Sequence, residues 1–104
     1  MTAVKGIAIL GSTGSIGQSA LSVVDAHPDR LRVVGLAAGG NVERFAEQVR
    51  RYRPAVAALA TLAAVDRLRQ SGAALPPRVA CGTAGLIEVA THSEADIVIC
   101  ASSG

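Results

Sequence analysis

The spacing of apolar residues along this chain changes repeatedly between two patterns. Short, continuous apolar runs are typical of strands buried on both faces of a sheet, and the first of them is Ile7–Leu10. Between these runs, apolar residues recur three or four positions apart, which indicates helices with one buried face. We predict five strands, over residues 7–10, 32–37, 56–60, 78–81 and 97–101.

Capping and helix-stopping residues bound the intervening helices. Asn41 and Thr61 are predicted N-caps, because their side-chain oxygens accept hydrogen bonds from free N–H groups of a first turn. We predict helices between Ser15 and Pro28, Asn41 and Pro54, and Thr61 and Gly72, and a fourth over residues 86–92. The predicted apolar faces of the first two comprise Ile16, Ala20, Val23, Val24 and His27, and Val42, Phe45, Ala46, Val49 and Tyr52.

The alternation of strand and helix predicts an α/β fold, a Rossmann-like parallel sheet with helices on both faces. With 104 residues, the chain forms one domain at most. An α/β fold normally turns into a further helix after a buried strand. We therefore expect residues 1–104 to be an incomplete domain of a longer enzyme, truncated after its last strand.

Composition and charge exclude several classes of protein. Half of the residues are apolar but only Phe45 and Tyr52 are aromatic, so the core is aliphatic, as in helices packed on a parallel sheet. The net charge of +2 is too small to indicate nucleic-acid binding. No apolar stretch has the length of a membrane span or the features of a signal peptide, so we expect a cytoplasmic protein.

A glycine-rich loop follows the first predicted strand: Gly11, Ser12, Thr13, Gly14, Ser15, Ile16 and Gly17. Its position before a helix predicts a pyrophosphate site, because the free N–H groups and the dipole of a helix N-terminus attract anions. We expect Gly11 to make the tight turn, Gly14 to permit close approach of the phosphate, and Gly17 to pack the helix against the sheet. The hydroxyls of Ser12, Thr13 and Ser15 are predicted to be further donors to the pyrophosphate.

The spacing of this loop is Gly-x-x-Gly-x-x-Gly, so the alternative that the glycines only form a turn stays open at this point. A nucleoside-triphosphate P-loop is excluded, because that motif requires a lysine where this chain has Gln18.

The end of the second predicted strand favours NADP(H) over NAD(H). NAD-binding enzymes usually place an acid there for the ribose hydroxyls, whereas this chain has Ala38, Gly39, Gly40 and Asn41. Without an acid, a 2′-phosphate meets no charge repulsion. We predict neutral donors at Gly40 and Asn41 and a counter-charge at Arg44.

The remaining candidate groups indicate no reaction centre. His27 and His92 are predicted to be ordinary residues at helix ends, and Cys81 and Cys100 to be reduced, mostly buried thiols. The turn 102–104 follows the last strand, where ligands of open α/β sheets bind, so we expect it to border the nicotinamide or its ribose. No general acid, base or metal cluster is visible.

These residues resemble one family. The segment 9–17 looks like the opening of 1-deoxy-D-xylulose 5-phosphate reductoisomerases, and the similarity continues through 33–42 and resumes at 95–98 and 101–104. The resemblance implies NADPH-dependent conversion of 1-deoxy-D-xylulose 5-phosphate to 2-C-methyl-D-erythritol 4-phosphate in the non-mevalonate isoprenoid pathway. It also implies a divalent metal (Mg or Mn) and a homodimer.

By the same resemblance, NADPH contacts Thr13, Gly14, Ser15, Ile16, Gly39, Gly40 and Asn41. Some members of the family carry lysine at the position of Gly40, and Arg44 is the candidate replacement for that charge. The family's metal ligands, substrate-phosphate site and lid correspond to sequence beyond Gly104, so we expect the chain alone to bind cofactor without turnover.

Two other functions stay open. One is the cofactor domain of another NADP-dependent reductase, such as a semialdehyde dehydrogenase or a dihydrodipicolinate reductase. The other is a non-catalytic nucleotide-sensing domain.

Overall fold

A computed structural model describes residues 4–101 of the chain. Within this range, strands and helices alternate as the sequence predicts. The strands are β1 (Lys5–Leu10), β2 (Leu31–Ala38), β3 (Val56–Leu59), β4 (Arg78–Cys81) and β5 (Ile97–Cys100). The helices are α1 (Ser15–Ala26), α2 (Val42–Tyr52), α3 (Leu62–Gln70) and α4 (Gly82–Ala90).

The five strands form one parallel sheet in the order β4-β3-β2-β1-β5. Ile7 of β1 pairs with Val33 of β2 on one side and with Ile97 of β5 on the other. The chain thus progresses in one direction from β1 to β4 and then returns across the sheet to β5. The strand order reverses between β1 and β5, which is where ligands of open α/β sheets bind.

The helices cover both faces, which confirms the predicted fold class. Right-handed crossovers put α1, α2 and α3 on one face and the returning α4 on the other. The first face is filled by large side chains, with Phe45 of α2 fully buried among Ile9, Leu36 and Leu59. The second face is filled mainly by alanines and valines.

Gly85 explains why α4 lies so close to the second face. A Cβ at Gly85 would come within 2.9 Å of the Ala58 Cβ, so only glycine permits this separation. One close helix, packed on Ala8, Ala37 and Ala58, therefore seals the centre of that face.

The predicted buried face of α1 is confirmed at Val24 and, in part, at Ala20, and is wrong at Ile16, Val23 and His27. Ile16 is 63% exposed and Val23 is 54% exposed, whereas Gly17, Leu21 and Val24 are the buried residues. The physical reason is the close packing of Gly17 on the preceding loop, which fixes the rotation of α1 about its axis. The apolar face inferred from periodicity includes residues that point away from the sheet.

The far end of the chain differs from the predictions in three details. Helix α4 begins at Gly82, four residues before the predicted start, and β5 ends at Cys100. The thiol of Cys81 is half-buried and that of Cys100 is exposed, because β5 is an edge strand. The predicted turn 102–104 lies outside the described residues.

Replacement of Gly17 by alanine tests the packing of α1. The added Cβ would lie 2.6 Å from the Ser12 Cα, so we expect Gly17→Ala to lower the free energy of unfolding by about 1–3 kcal/mol. This sign is opposite to the gain of about 1 kcal/mol that alanine normally gives within a helix. Urea denaturation followed by circular dichroism measures the change.

Gly39→Ala is the matched control, because a Cβ at Gly39 meets no atom of the described residues within 4 Å. We expect that variant to stay within about 0.5 kcal/mol of the unmodified protein. Equal stability of the two variants would show that Gly17 does not set the position of α1.

Candidate dinucleotide site

The predicted site residues lie together at the carboxyl ends of the central strands. The loop 11–14 connects β1 to α1, and the turn 39–41 connects β2 to α2. Since β1 and β2 are neighbours in the sheet, the two segments open at the same edge. Backbone hydrogen bonds attach the glycine loop to the end of β2, because the N–H groups of Gly11 and Ser12 both donate to the Ala37 oxygen, at 2.7 and 3.0 Å.

Gly11 makes the turn out of β1, as the sequence predicts. Its φ is +85°, in the left-handed region that residues with a Cβ rarely adopt. Its carbonyl oxygen then accepts a hydrogen bond from the Gly14 N–H at 3.2 Å, which closes the loop. The turn aims the following residues across the end of the sheet toward α1.

The N-terminus of α1 offers unpaired backbone donors. Gly14 is its N-cap, and no side chain of the described residues caps the first turn, which also contains no acid. By contrast, Asn41 and Thr61 cap α2 and α3 with their side chains, as predicted. The uncapped end of α1 therefore presents free N–H groups and the positive end of the helix dipole to an anion.

Gly14 and Gly17 serve different purposes in this arrangement. A Cβ at Gly17 would collide with the loop backbone, so that glycine is required by the protein's own packing. A Cβ at Gly14 would meet its nearest neighbour, the Gly11 oxygen, at 3.6 Å, an ordinary contact. The packing thus tolerates a side chain at Gly14. Its glycine leaves the space in front of the helix open for close approach of a ligand.

Ser12 has a different role from the predicted one. Its side chain is fully buried, and its hydroxyl donates to the Gln48 Oε1 at 2.7 Å. Because a hydroxyl has one proton to donate, the Ser12 side chain supplies no donor to a pyrophosphate. Gln48 was not apparent from the sequence; its position beside the predicted apolar face of α2, three residues after Phe45, is a signal that could have indicated it.

The turn after β2 forms the second half of the site. Gly39, Gly40 and Asn41 are all exposed, and a Cβ at either glycine would meet no atom of the described residues within 4 Å. Asn41 accepts a hydrogen bond from the Arg44 N–H at 3.2 Å, which organises the first turn of α2. The turn is therefore open to a bulky group.

Arg44 brings the two halves together. It belongs to α2, and its Nη1 donates to the Thr13 oxygen across the front of the glycine loop at 3.4 Å. The guanidinium thus contacts the glycine loop from α2, the helix that follows the turn 39–41. Arg44 is exposed, so its positive charge is available to a phosphate group.

A small apolar hollow adjoins the turn, and sequence reasoning did not find it. It is lined by Gly11, Ala38, Gly39, Leu59, Ala60, Gly82 and Leu86. Leu59 and Ala60 come from the end of β3, and Leu86 comes from α4, so the hollow exists only when the sheet and α4 are assembled. Its apolar lining suits an aromatic ring.

The perturbed ionisable groups join structural elements outside this set of residues. The Arg78 guanidinium lowers the pKa of the Glu88 carboxyl through hydrogen bonds of 2.8 and 2.6 Å that link β4 to α4. Partial burial and a hydrogen bond to Asp25 raise the pKa of Tyr52, linking α2 to α1. The site residues themselves are binding groups: backbone donors, hydroxyls and one guanidinium.

Within residues 4–101, no three side chains of His, Cys, Asp or Glu come together as ligands for a metal ion. In the same range, none of the helices is both long enough and apolar enough to cross a membrane.

The comparison with protein families gives one match over nearly the whole chain. The family model described as 1-deoxy-D-xylulose 5-phosphate reductoisomerase matches residues 7–104. A relative of that name from Symbiobacterium thermophilum is 52% identical over an alignment that covers 91% of this chain and 26% of the relative. One from Anaeromyxobacter is 51% identical over 96% of this chain and 25% of the relative.

Solved structures agree in fold. The 1-deoxy-D-xylulose 5-phosphate reductoisomerase from Zymomonas mobilis in complex with NADPH superposes with a TM-score of 0.85 at 30% identity, over 98% of this chain and 27% of that one. A DOX-P reductoisomerase with NADPH, fosmidomycin and magnesium gives 0.84 at 28% identity, over 97% of this chain and 25% of that one.

The chain spans about a quarter of the length of the curated relatives it matches. The glycine loop, the acid-free turn after β2 and the parallel sheet that aligns them all fall within the matched residues. This chain belongs to the 1-deoxy-D-xylulose 5-phosphate reductoisomerase family.

Proposed function

We propose that this chain binds NADPH as the cofactor-binding part of a 1-deoxy-D-xylulose 5-phosphate reductoisomerase. One observation supports this most strongly. The uncapped, acid-free N-terminus of α1 opens beside an acid-free turn after β2, and Arg44 bridges the two. Together these features provide donors for a pyrophosphate and a cation for a further phosphate.

The pyrophosphate is proposed to lie on the glycine loop. The N–H groups of the first turn of α1 would donate to it, with Thr13 and Ser15 as hydroxyl donors and Ile16 beside them. Gly14 allows the phosphate close to the backbone, while Gly11 and Gly17 hold the loop in shape.

The adenosine end is proposed to lie on the turn after β2. The 2′-phosphate would meet the turn formed by Gly39, Gly40 and Asn41, with the guanidinium of Arg44 as its counter-charge. The adenine would fill the apolar hollow between Leu59 and Leu86, where its ring is removed from water. When bound, NADPH supplies the hydride that such a reductase transfers.

The remaining properties of the enzyme are proposed from family membership. The substrate is 1-deoxy-D-xylulose 5-phosphate, and the product is the isoprenoid precursor 2-C-methyl-D-erythritol 4-phosphate. The full-length enzyme is proposed to be a cytoplasmic homodimer that also uses Mg or Mn. Residues 4–101 do not bring together a set of ligands that would fit such a metal, so the proposed role of residues 1–104 is cofactor binding.

The family match favours this function over the two alternatives. The relatives described above are reductoisomerases by name, rather than semialdehyde dehydrogenases or dihydrodipicolinate reductases. A non-catalytic nucleotide sensor would also bind NADPH. The reading frame beyond codon 104 of the parent gene distinguishes it, because a reductoisomerase continues into an Asn-Lys-Glu segment.

Arg44→Ala tests the proposed preference for NADPH. We expect the unmodified chain to bind NADPH more tightly than NADH, and the variant to lose about tenfold in NADPH affinity with little change for NADH. A hydrogen bond to a charged group contributes about 1.5–3 kcal/mol, and only NADPH has the 2′-phosphate. Isothermal titration calorimetry gives the dissociation constants.

Arg50→Ala is the control, since Arg50 is exposed on the same helix and lies toward its opposite end. Equal affinity of the unmodified chain for NADPH and NADH, or a tighter complex with NADH, would refute the proposed cofactor.

Gly40→Lys tests the position of the 2′-phosphate. An added side chain has room at Gly40, so we expect the variant to fold normally and to bind NADPH a fewfold more tightly, as about 0.5–1 kcal/mol for an exposed ion pair implies. The gain should shrink as ionic strength rises. The same titration with NADH serves as control, and an equal gain for both dinucleotides would place the phosphate elsewhere.

A turnover assay tests the proposal that residues 1–104 bind the cofactor but do not catalyse the reaction. With NADPH, Mg²⁺ and 1-deoxy-D-xylulose 5-phosphate, we expect the purified 104-residue chain to consume no NADPH above background, measured by absorbance at the nicotinamide band. The described residues are proposed to bind the cofactor, and they offer no metal-ligand cluster. A rate above background would contradict the proposal that residues 1–104 only bind the cofactor.

A further inference from the structure

Gln48 is a buried amide in the interior face of α2. Only 7% of its surface is exposed, and its side chain points toward the glycine loop. Among the described residues, Ser12 and Gln48 are the buried polar side chains, and they contact each other.

Two reciprocal hydrogen bonds join this pair. The Ser12 hydroxyl donates to the Gln48 Oε1 at 2.7 Å, and the Gln48 Nε2 donates to the Ser12 carbonyl oxygen at 2.8 Å. The amide therefore satisfies both the side chain and the backbone of Ser12. Both side chains are buried. If either one is removed, the polar atoms of the other therefore have no water or protein group to bond in its place.

Ser12 is consequently held by three elements at once. Its N–H donates to the Ala37 oxygen of β2 at 3.0 Å, its carbonyl and hydroxyl are bonded to Gln48 of α2, and its Cα packs against Gly17 of α1. These contacts fix the peptide planes on both sides of Ser12. The orientation of Thr13 and Gly14, which lead into the N-terminus of α1, follows from them.

We propose that Gln48 is a positioning residue for the pyrophosphate. By clamping Ser12, it keeps the loop and the first-turn N–H groups of α1 in the orientation that the pyrophosphate requires. A loop already held in its binding conformation loses less conformational entropy when the ligand binds. The inference rests on the proposed binding of NADPH and adds a residue that does not itself touch the dinucleotide.

The clamp, meaning the two hydrogen bonds between Ser12 and Gln48, predicts a different pattern of dissociation constants from the one expected for Arg44→Ala. Because NADPH and NADH share the pyrophosphate, loss of the clamp should weaken both by the same factor. Adenosine 2′-phosphate has no pyrophosphate, so its affinity should be unchanged. Loss of a direct 2′-phosphate contact would instead weaken only the ligands that carry this group.

Gln48→Met is the first test, since methionine has a similar length but neither donates nor accepts strong hydrogen bonds. We expect the dissociation constants of NADPH and NADH to rise together by about tenfold, a factor within the range set by the loss of buried hydrogen bonds. Gln70→Met, at an exposed position of α3, is the matched control and should change neither dissociation constant.

Gln48→Glu is the second test and requires no loss of packing. A protonated carboxyl can donate to the Ser12 carbonyl oxygen and accept from the Ser12 hydroxyl, whereas a carboxylate offers that carbonyl no donor and repels its oxygen. Burial raises the pKa of a carboxyl, so the protonated form should persist at mildly acidic pH. We expect the ratio of variant to unmodified dissociation constants for NADP⁺ to be near one at pH 5 and about tenfold at pH 8.

The outcomes separate this inference from the proposed function. If the unmodified chain binds no NADPH, the proposed function fails. If it binds NADPH but Gln48→Met leaves both dinucleotides unaffected, or the Gln48→Glu ratio does not depend on pH, the clamp is refuted. A lower melting temperature of Gln48→Met with unchanged dissociation constants below that temperature would assign Gln48 a purely structural role and would also refute it.

Discussion

The close approach of α1 to the loop that precedes it is the constraint on which the rest of the site depends. Gly17 has no Cβ, so the helix backbone rests directly on Gly11 and Ser12. This contact fixes the axial rotation of α1 and aims its free N–H groups out of the end of the sheet. The same contact leaves Ser12 buried, where its polar atoms require partners from elsewhere in the chain.

Helix α2 supplies those partners and also builds the other half of the site. Gln48, in its interior face, satisfies Ser12, while its first turn orders Asn41 and extends Arg44 to the Thr13 oxygen. A single helix thus connects the loop proposed for the pyrophosphate with the turn proposed for the 2′-phosphate. The separation between the two is set by the packing of Phe45 and Val49 on the sheet, so the core and the site are one arrangement.

The sheet determines where this arrangement opens. Parallel strands place every strand-to-helix turn at the same edge, and the strand order reverses between β1 and β5, where ligands of open α/β sheets bind. The second face is closed by α4, which lies near the sheet because Gly85 and the alanines beneath it are small. The position of α4 in turn brings Leu86 to Leu59 and creates the apolar hollow beside the turn.

The sequence by itself determined the order of elements, the parallel α/β class, the turn at Gly11, the caps at Asn41 and Thr61 and the family, because these depend on short-range periodicity and on contiguous motifs. Tertiary structure decided the buried face of α1, the role of Ser12 and the existence of the hollow. Each of these rests on contacts between residues distant in the chain, such as Ser12 and Gln48, 36 positions apart. Periodicity shows that a helix has an apolar face, but only close packing decides which atoms approach one another and which polar groups are left facing a ligand.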